Sequence, residues 1–301
     1  MMLEYKKIAA KPNLIRSFTG LPSDAVKNLI PVFASAEKRA DSARSRARQR
    51  QSGAGRKPIL STPSDRLLFI LFYFKFYPIQ QVLGFFFGLS QGQANHWIHR
   101  LTPVLNSALG YELQLPARKP ADVETVLAEC PSLEFIIDGT ERPIRRPKDS
   151  EKQKKYYSGK KKRHTVKNVV ISDKKTKRIH AVSPTYEGKR HDKSIADEQN
   201  YVFPEGSKLH QDTGFQGYQP QNVEIFQPKK KPRGGALIEA EKQRNREISR
   251  ERIGVEHSIG SVKVYSIVRD IYRNYKANYE DLVIETAVGL HNFRIDIRLA
   301  A

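Results

Sequence analysis

The period of the apolar residues changes once along the chain, near Leu133, and that change limits the fold more than any other feature. Before it, Ser61 to Gly110 carries helical spacing: Ala94, Ile98, Leu101 and Leu105 fall at i, i+4, i+7 and i+11 on one face. After it come short apolar or β-branched runs: LEFIID (133–138), TVKNVVIS (165–172), RIHAVS (178–183), KLHQD (208–212) and VEIF (223–226). The second and third are separated by the turn Asp173 to Lys177 and form a predicted hairpin. His191 to Asn200 has helical character, Ala236 to Ile271 is mainly helical with a break near Gly254, and a last helix covers Asp281 to Leu299. Strands followed by helices imply an α/β fold, a mixed sheet flanked by helices, preceded by a small all-α domain.

Within the helical part, Ser64 is placed to cap a helix through Tyr77, and Pro78 fits the first turn of a helix ending at Phe87. Gly88-Leu89-Ser90 is a short turn, and Ser90 caps a third helix whose polar face carries Gln93, Asn95, His96, His99 and Arg100. Helix, short turn, helix with a polar outer face is the helix-turn-helix pattern, with a plain helical bundle as the alternative. Trp97 is assigned to the core or its rim. The apolar stretch Leu67 to Leu89 is interrupted by Lys75, Pro78, Gln80 and Gln81, which makes it two buried helices rather than a membrane span.

Charge narrows the partner. Of 301 residues, 53 are Lys or Arg and 32 are Asp or Glu, a formal net charge of +21, which calls for an anionic partner. Nucleic acid is the commonest, and an anionic membrane surface is the competitor. Lys38 to Lys57 contributes a basic run that includes Arg44, Arg46, Arg48 and Arg50, a tether or a phosphate-binding arm. One cysteine, Cys130, excludes an intrachain disulfide and a cysteine-rich zinc site and fits a reducing cytoplasm; Met1 to Ala10 has no apolar signal core.

Three acids stand out. Asp138 and Asp212 each end an apolar run and precede a glycine-containing turn, so both are expected at the rim of the sheet, where two carboxylates share a hard cation. An acid followed by glycine is also ordinary turn chemistry. Glu256 lies in Arg252-x3-Glu256-x6-Lys263, which on one helix sets the carboxylate between two cations on a single stripe. A surface ladder of ion pairs has the same spacing.

Four local motifs give these acids a context: FIIDGTERPI (135–144), YYSGKKKRHTVK (156–167), GKRHD (188–192) and DTGFQGY (212–218). With the Arg-x3-Glu-x6-Lys segment they resemble the DDE transposases of bacterial insertion sequences, the group around insertion sequence five related to the Harbinger transposases. That group's signature has a tyrosine where this chain has Ser249. The resemblance implies a ribonuclease-H-like fold and three segments. These are a basic helical arm and linker (1–57), a helix-turn-helix DNA-binding domain (58–115) and a DDE catalytic domain (130–301). It implies that Asp138, Asp212 and Glu256 hold two Mg²⁺ ions, or Mn²⁺ in their place, with Asp138 shared between them, for hydrolysis at element ends and strand transfer into target DNA. Arg252 and Lys263 would clamp phosphate near them. Lys160, Lys161, Lys162, Arg163 and His164 would reach the DNA backbone, as would Arg142, Arg145 and Arg146, unless the former are only a solvated hairpin turn. His191 and Asp192 would support the acids from behind, or Asp192 would cap a helix. The implied partner is double-stranded DNA bound by a homo-oligomer in the cytoplasm at the nucleoid, with no membrane. A regulator that binds DNA without cutting it and a nuclease that cuts without joining are the competing readings.

Overall fold

The computed structural model describes residues 2–45, 58–231 and 234–300, without the side chains of 44–45, 249, 251–258 and 300. Arg46, Arg48, Arg50 and the rest of the basic linker lie outside the described residues, as does the side chain of Arg44. In chain order the elements are α1 (Tyr5–Ile8), α2 (Pro12–Thr19), α3 (Ser23–Ser45), α4 (Pro63–Phe76), α5 (Gln80–Phe87), α6 (Gln91–Tyr111) and α7 (Pro120–Ala128). Then follow β1 (Glu134–Pro143), α8 (Ser150–Tyr156), β2 (Tyr157–Ser158), β3 (Arg163–Asp173), β4 (Ile179–Val182), β5 (Tyr186–Glu187) and α9 (Asp192–Gln199). The chain ends with β6 (Ser207–Gln211), β7 (Val223–Phe226), α10 (Glu239–Val262), α11 (Ser266–Arg269) and α12 (Tyr279–Ala300). No helix among the described residues is long and apolar enough to cross a membrane.

Two compact units result: Met1–Leu115 with Lys263–Asp270 and Lys276–Ala301, and Pro116–Val262 with Ile271–Tyr275. The C-terminal helices therefore pack with the N-terminal ones, a grouping that boundaries drawn along the sequence do not anticipate.

In the helical unit, eight consecutive residues of α4, Leu67 to Phe74, are buried. A helix apolar all round belongs at the centre of its bundle, and α2, α3, α6 and α11 pack around this one. Each fully buried Leu or Phe contributes about 1.5–3 kcal/mol through burial alone. The N-cap is Thr62, whose Oγ1 accepts from the Asp65 N–H, rather than Ser64. The reason is Pro63, which takes the first helical position, where its missing N–H costs nothing. Pro78 likewise precedes α5 instead of entering its first turn, because the N-cap is Ile79. Ser90 caps α6 as expected, in a reciprocal box in which Gln93 Oε1 accepts from the Ser90 N–H.

In the second unit β1 lies between β3, antiparallel to it, and β6, parallel to it. β7 continues beyond β6 in parallel, and β2, β4 and β5 pair with β3. β7 falls on the predicted VEIF residues, and β3 and β4 form the predicted hairpin. One face is a core of Phe135, Ile137, Val169, Ile171 and Leu209 packed with residues of α7 and α9. This is the ribonuclease-H-like class of mixed α/β sheet. The backbone of α10 is helical through Gly254 without the expected break.

The turn between α5 and α6 depends on two glycines: Gly88 ends α5 in the left-handed region (φ 65°), and a Cβ at Gly84 would lie 2.4 Å from the Leu89 carbonyl oxygen. Gly84→Ala is expected to destabilise the chain by about 1–3 kcal/mol, as overpacking against backbone does. Urea unfolding would measure the change, and an unchanged midpoint would refute the packing account.

Candidate active site and nucleic-acid interface

The ladder between β1 and β6 ends at the pair Ile137 and Gln211. The next residue on each strand is an acid, Asp138 on β1 and Asp212 after β6. Side chains alternate along a strand, so Asp138 leaves β1 on the face of Ile136. Asp212 is still extended (φ −88°, ψ 175°) and continues on the face of His210, the partner of Ile136. The two acids thus stand on one face at adjacent positions, both half-buried.

Asp138 is not at the end of its strand, as the sequence led us to expect. β1 runs on to Pro143, paired to β3 throughout, and only β6 leaves the sheet. It leaves because Asp212 Oδ1 accepts the Gly214 N–H at 2.7 Å and caps a one-turn 3₁₀ helix, Thr213–Phe215. Gly139 is therefore a strand residue, and its role is to make room. A Cβ there would lie 2.5 Å from Asp192 Oδ1, and one at Gly214 would lie 2.9 Å from Asp192 Oδ2. Asp192 is thus held against both glycines that follow the acids, approaching β1 from the face opposite Asp138.

Asp192 caps nothing. The N-cap of α9 is His191, exposed and without a side-chain capping bond, and Asp192 is the first helical residue. Its carboxylate lies 3.0 Å from Lys167 Nζ, which also donates to the Arg190 carbonyl at 2.8 Å and sits 3.8 Å from Glu141 Oε1. Glu141 in turn accepts from Thr165 Oγ1 at 2.8 Å. Lys167 is 7% exposed. A lysine that deep needs partners, and removing one member of such a set leaves a buried charge uncompensated at about 3–5 kcal/mol. Sequence reasoning did not single out Lys167; the available signal was a lysine at a core-facing position of TVKNVVIS.

Glu256 and Arg252 belong to α10, but their side chains lie outside the described residues, as does that of Ser249. Lys263 is not on that helix: α10 ends at Val262 and Lys263 falls in the turn that follows, as the chain bends to bury Tyr265.

Of the basic residues, Lys160, Lys161, Lys162 and Arg163 are exposed around the tip of the β2–β3 hairpin, and His164 is half-buried against Tyr157. Arg145 is exposed and donates to Tyr275 Oη at 3.3 Å. Arg146 donates twice to Gln153 Oε1. Arg142 corrects the expectation of a surface contact: it is 1% exposed and donates to Asn168 Oδ1 and Thr185 Oγ1. By alternation it shares the face of Ile136 and Asp138, opposite the Phe135–Ile137 core, and is buried there with Asn168 and Thr185 as its partners.

On α6, Gln93, Asn95 and His96 are exposed. His99 and Arg100 turn into the helical unit instead. His99 packs on the Tyr279 ring, and burial pushes its imidazole below the usual range. Arg100 pairs with Asp41 at 2.8 Å and lies over the Trp97 ring.

Among known proteins, a family model described as the DDE superfamily endonuclease matches residues 137–292. A second, the helix-turn-helix of the DDE superfamily endonuclease, matches residues 60–110. A Microchaete diplosiphon protein named as a probable transposase for insertion sequence element IS702 is 31% identical over 81% of this chain and 84% of its own. A Streptomyces albus G protein named as a transposase for insertion sequence element IS112 is 27% identical over 87% and 88% of the two chains. No solved structure matches.

The close approach of Asp192 makes Gly139 sensitive. Gly139→Ala is expected to cost about 1–3 kcal/mol in the native chain and clearly less when Asp192→Ala has removed the clashing carboxylate. Thermal unfolding of the double-mutant cycle tests this. Equal costs in both backgrounds would mean that Asp192 is not what the glycine accommodates.

Proposed function

The chain belongs to the DDE superfamily of endonucleases and carries that family's helix-turn-helix ahead of its α/β region, and from this premise we propose that it is a transposase that cuts DNA at the ends of its element and joins those ends to target DNA. The observation that most supports this reading is the end of the β1–β6 ladder one residue before Asp138 and Asp212. Two half-buried acids at adjacent positions, one on β1 and one immediately after its hydrogen-bonded neighbour β6, would supply a pair of oxygen donors.

The donor set fits a hard divalent cation: Asp138, Asp212 and Glu256 would hold two Mg²⁺ ions, or Mn²⁺ in their place, and the bound metal would supply Lewis-acid stabilisation of charge on the phosphodiester oxygens. The chain's own residues do the rest. Lys167 and Glu141 hold Asp192 in place, and Asp192 buttresses both glycines behind the acids. Lys160, Lys161, Lys162, Arg163 and His164, with Arg145 and Arg146, grip the DNA backbone without regard to sequence. Arg252 would draw the scissile phosphate to the rim, and Lys263, in the turn after α10, would add a further phosphate contact. Gln93, Asn95 and His96 face a groove. In the first step water attacks the phosphorus at an element end and the 3′-oxygen leaves as a hydroxyl. In the second that hydroxyl attacks a target phosphodiester and displaces the target's own 3′-oxygen.

Residues 1–57 would serve as a basic arm, 58–115 as the DNA-reading segment and 130–301 as the catalytic segment. Holding two ends and a target at once calls for a homo-oligomer, working at the nucleoid in the cytoplasm.

Asp138→Asn and Asp212→Asn are each expected to lower cleavage of end-containing oligonucleotides by about 10²–10³-fold or more, with DNA affinity unchanged in a gel-shift assay. Cleavage by either variant at the native rate would refute the assignment. A native chain that binds without cutting would be a regulator, and one that cuts without joining a nuclease. Replacing Lys160, Lys161 and Lys162 by Gln is expected to weaken binding to all duplexes alike and to reduce the salt slope by about one for each phosphate left without its cation. An unchanged slope would place the hairpin tip away from the backbone.

A further inference from the structure

A second cluster lies at the other end of the sheet from Asp138. β3 ends at Asp173, the partner of Phe135 near the start of β1. Cys130 lies between α7 and β1, and His180 is on β4. A sulfur, a carboxylate oxygen and an imidazole nitrogen from these three residues lie within 4.8 Å of one another, and no other three His, Cys, Asp or Glu among the described residues do so. Cys130 is 5% exposed and Asp173 2%. His180 is half-buried as a residue, yet its Nε2 is fully buried and has no hydrogen-bond partner. A polar nitrogen left so costs about 1–3 kcal/mol.

The other two groups are poised for exchange. Cys130 Sγ donates to Asp173 Oδ2 at 3.1 Å, beside Ser132 Oγ on the same oxygen, while Asp173 Oδ1 accepts from Thr176. Burial raises the Cys130 thiol and lowers the His180 imidazole. Burial also opposes ionisation of Asp173, but the hydrogen bonds from Ser132, Thr176 and Cys130 outweigh it and keep its carboxyl below the usual range. The cluster is therefore a thiol, a carboxylate and a neutral imidazole.

We propose that Cys130, Asp173 and His180 form a binding site for a borderline divalent cation of the zinc class, distinct from the oxygen-only rim of Asp138 and Asp212. Thiolate, imidazole and carboxylate together select such an ion over Mg²⁺. Binding exchanges the thiol proton for the metal: the S–H bond breaks, an S–metal bond forms and the proton leaves to solvent. Asp173 gives up the S–H hydrogen bond and keeps those from Thr176. His180 contributes a ring nitrogen of its neutral imidazole. Three protein ligands leave a fourth position for water, and the ion ties the segment before β1 to the β3–β4 hairpin.

The test uses Co²⁺ on the full, chelator-treated chain. Cys130 is the chain's single cysteine, so any near-ultraviolet sulfur-to-cobalt band reports this site alone, and carboxylates at the rim cannot produce it. The expected result is a band that saturates at one Co²⁺ per chain, is displaced by Zn²⁺ and survives excess Mg²⁺. It vanishes in Cys130→Ser and requires at least about tenfold more Co²⁺ in His180→Gln, which keeps the sulfur and so reads out even if the Cys130 variant misfolds. Asp138→Asn leaves the band unchanged. No band at saturating Co²⁺ on a chain with a native circular dichroism spectrum, or a band indifferent to His180→Gln, overturns the proposal.

Discussion

The parallel pairing of β1 with β6 is the constraint on which the rest of the site depends. β6 stops at Gln211 because the carboxylate of Asp212 takes the Gly214 N–H and turns the chain out of the sheet. β1 continues for six residues beyond Ile137, paired to β3 and, at its last residue Pro143, also hydrogen-bonded by the Tyr272 N–H at 2.8 Å. The two acids thus sit at a notch, one on a strand that goes on and one at the point where its neighbour leaves. The ladder to β3 fixes the Cα of Asp138, and Asp212 is held one residue past its ladder by its own bond to the Gly214 N–H, so a carboxylate on such a frame loses little freedom on meeting a ligand. That is why a site on strands holds its geometry better than one on loops.

A chain with a large basic surplus also keeps charge inside, in both units. Lys167 with Asp192 and Glu141, and Arg66 with Glu37 at 2.7 Å, bury ions of both signs together. Neither set is a strong source of stability, since desolvation consumes most of the Coulomb attraction. What each does is allow one arrangement only. Asp192 cannot move without leaving Lys167 beside Glu141; while it stays, a Cβ at Gly139 meets its Oδ1, and one at Gly214 is crowded by Asp212 Oδ1 as well as by Asp192 Oδ2. Burial of a charge pair thus becomes positional accuracy at the rim.

Much of this was legible in residue patterns, and the failures share a cause. VEIF, the β3–β4 hairpin and the Ser90 cap were read from local chemistry and formed by local contacts. Asp138-Gly139 was read as a turn because that dipeptide usually makes one, yet the glycine answers to a carboxylate more than fifty residues later in the chain. Arg142 looked like one of three surface arginines, but strand alternation carries it to Asn168. His99 and Arg100 share the polar side of α6 with Asn95 and His96, and only the packing of Tyr279 and Asp41 against them shows that they face inward. Ser64 was read as the cap of α4, but Pro63 takes the first helical position and leaves the cap to Thr62. In each case the residue type was visible and its partner was not.

Such internal partners also shape what α6 can offer a duplex. Gln93 spends its Oε1 on the Ser90 N–H at 2.9 Å, and Asn95 spends its Oδ1 on Gln80 Nε2 at 2.8 Å. As held, both amides present their NH₂ groups outward and are donors. Donors pair with the acceptors of the major groove: N7 and O6 of guanine, N7 of adenine and O4 of thymine. The bidentate amide contact to adenine needs an acceptor as well as a donor, and each amide oxygen, already taking one internal hydrogen bond, has one lone pair left to supply it. On a duplex, an α6 arranged this way would offer the NH₂ donors and one remaining lone pair of each amide, oriented for Gln93 by the same hydrogen bond that starts the helix.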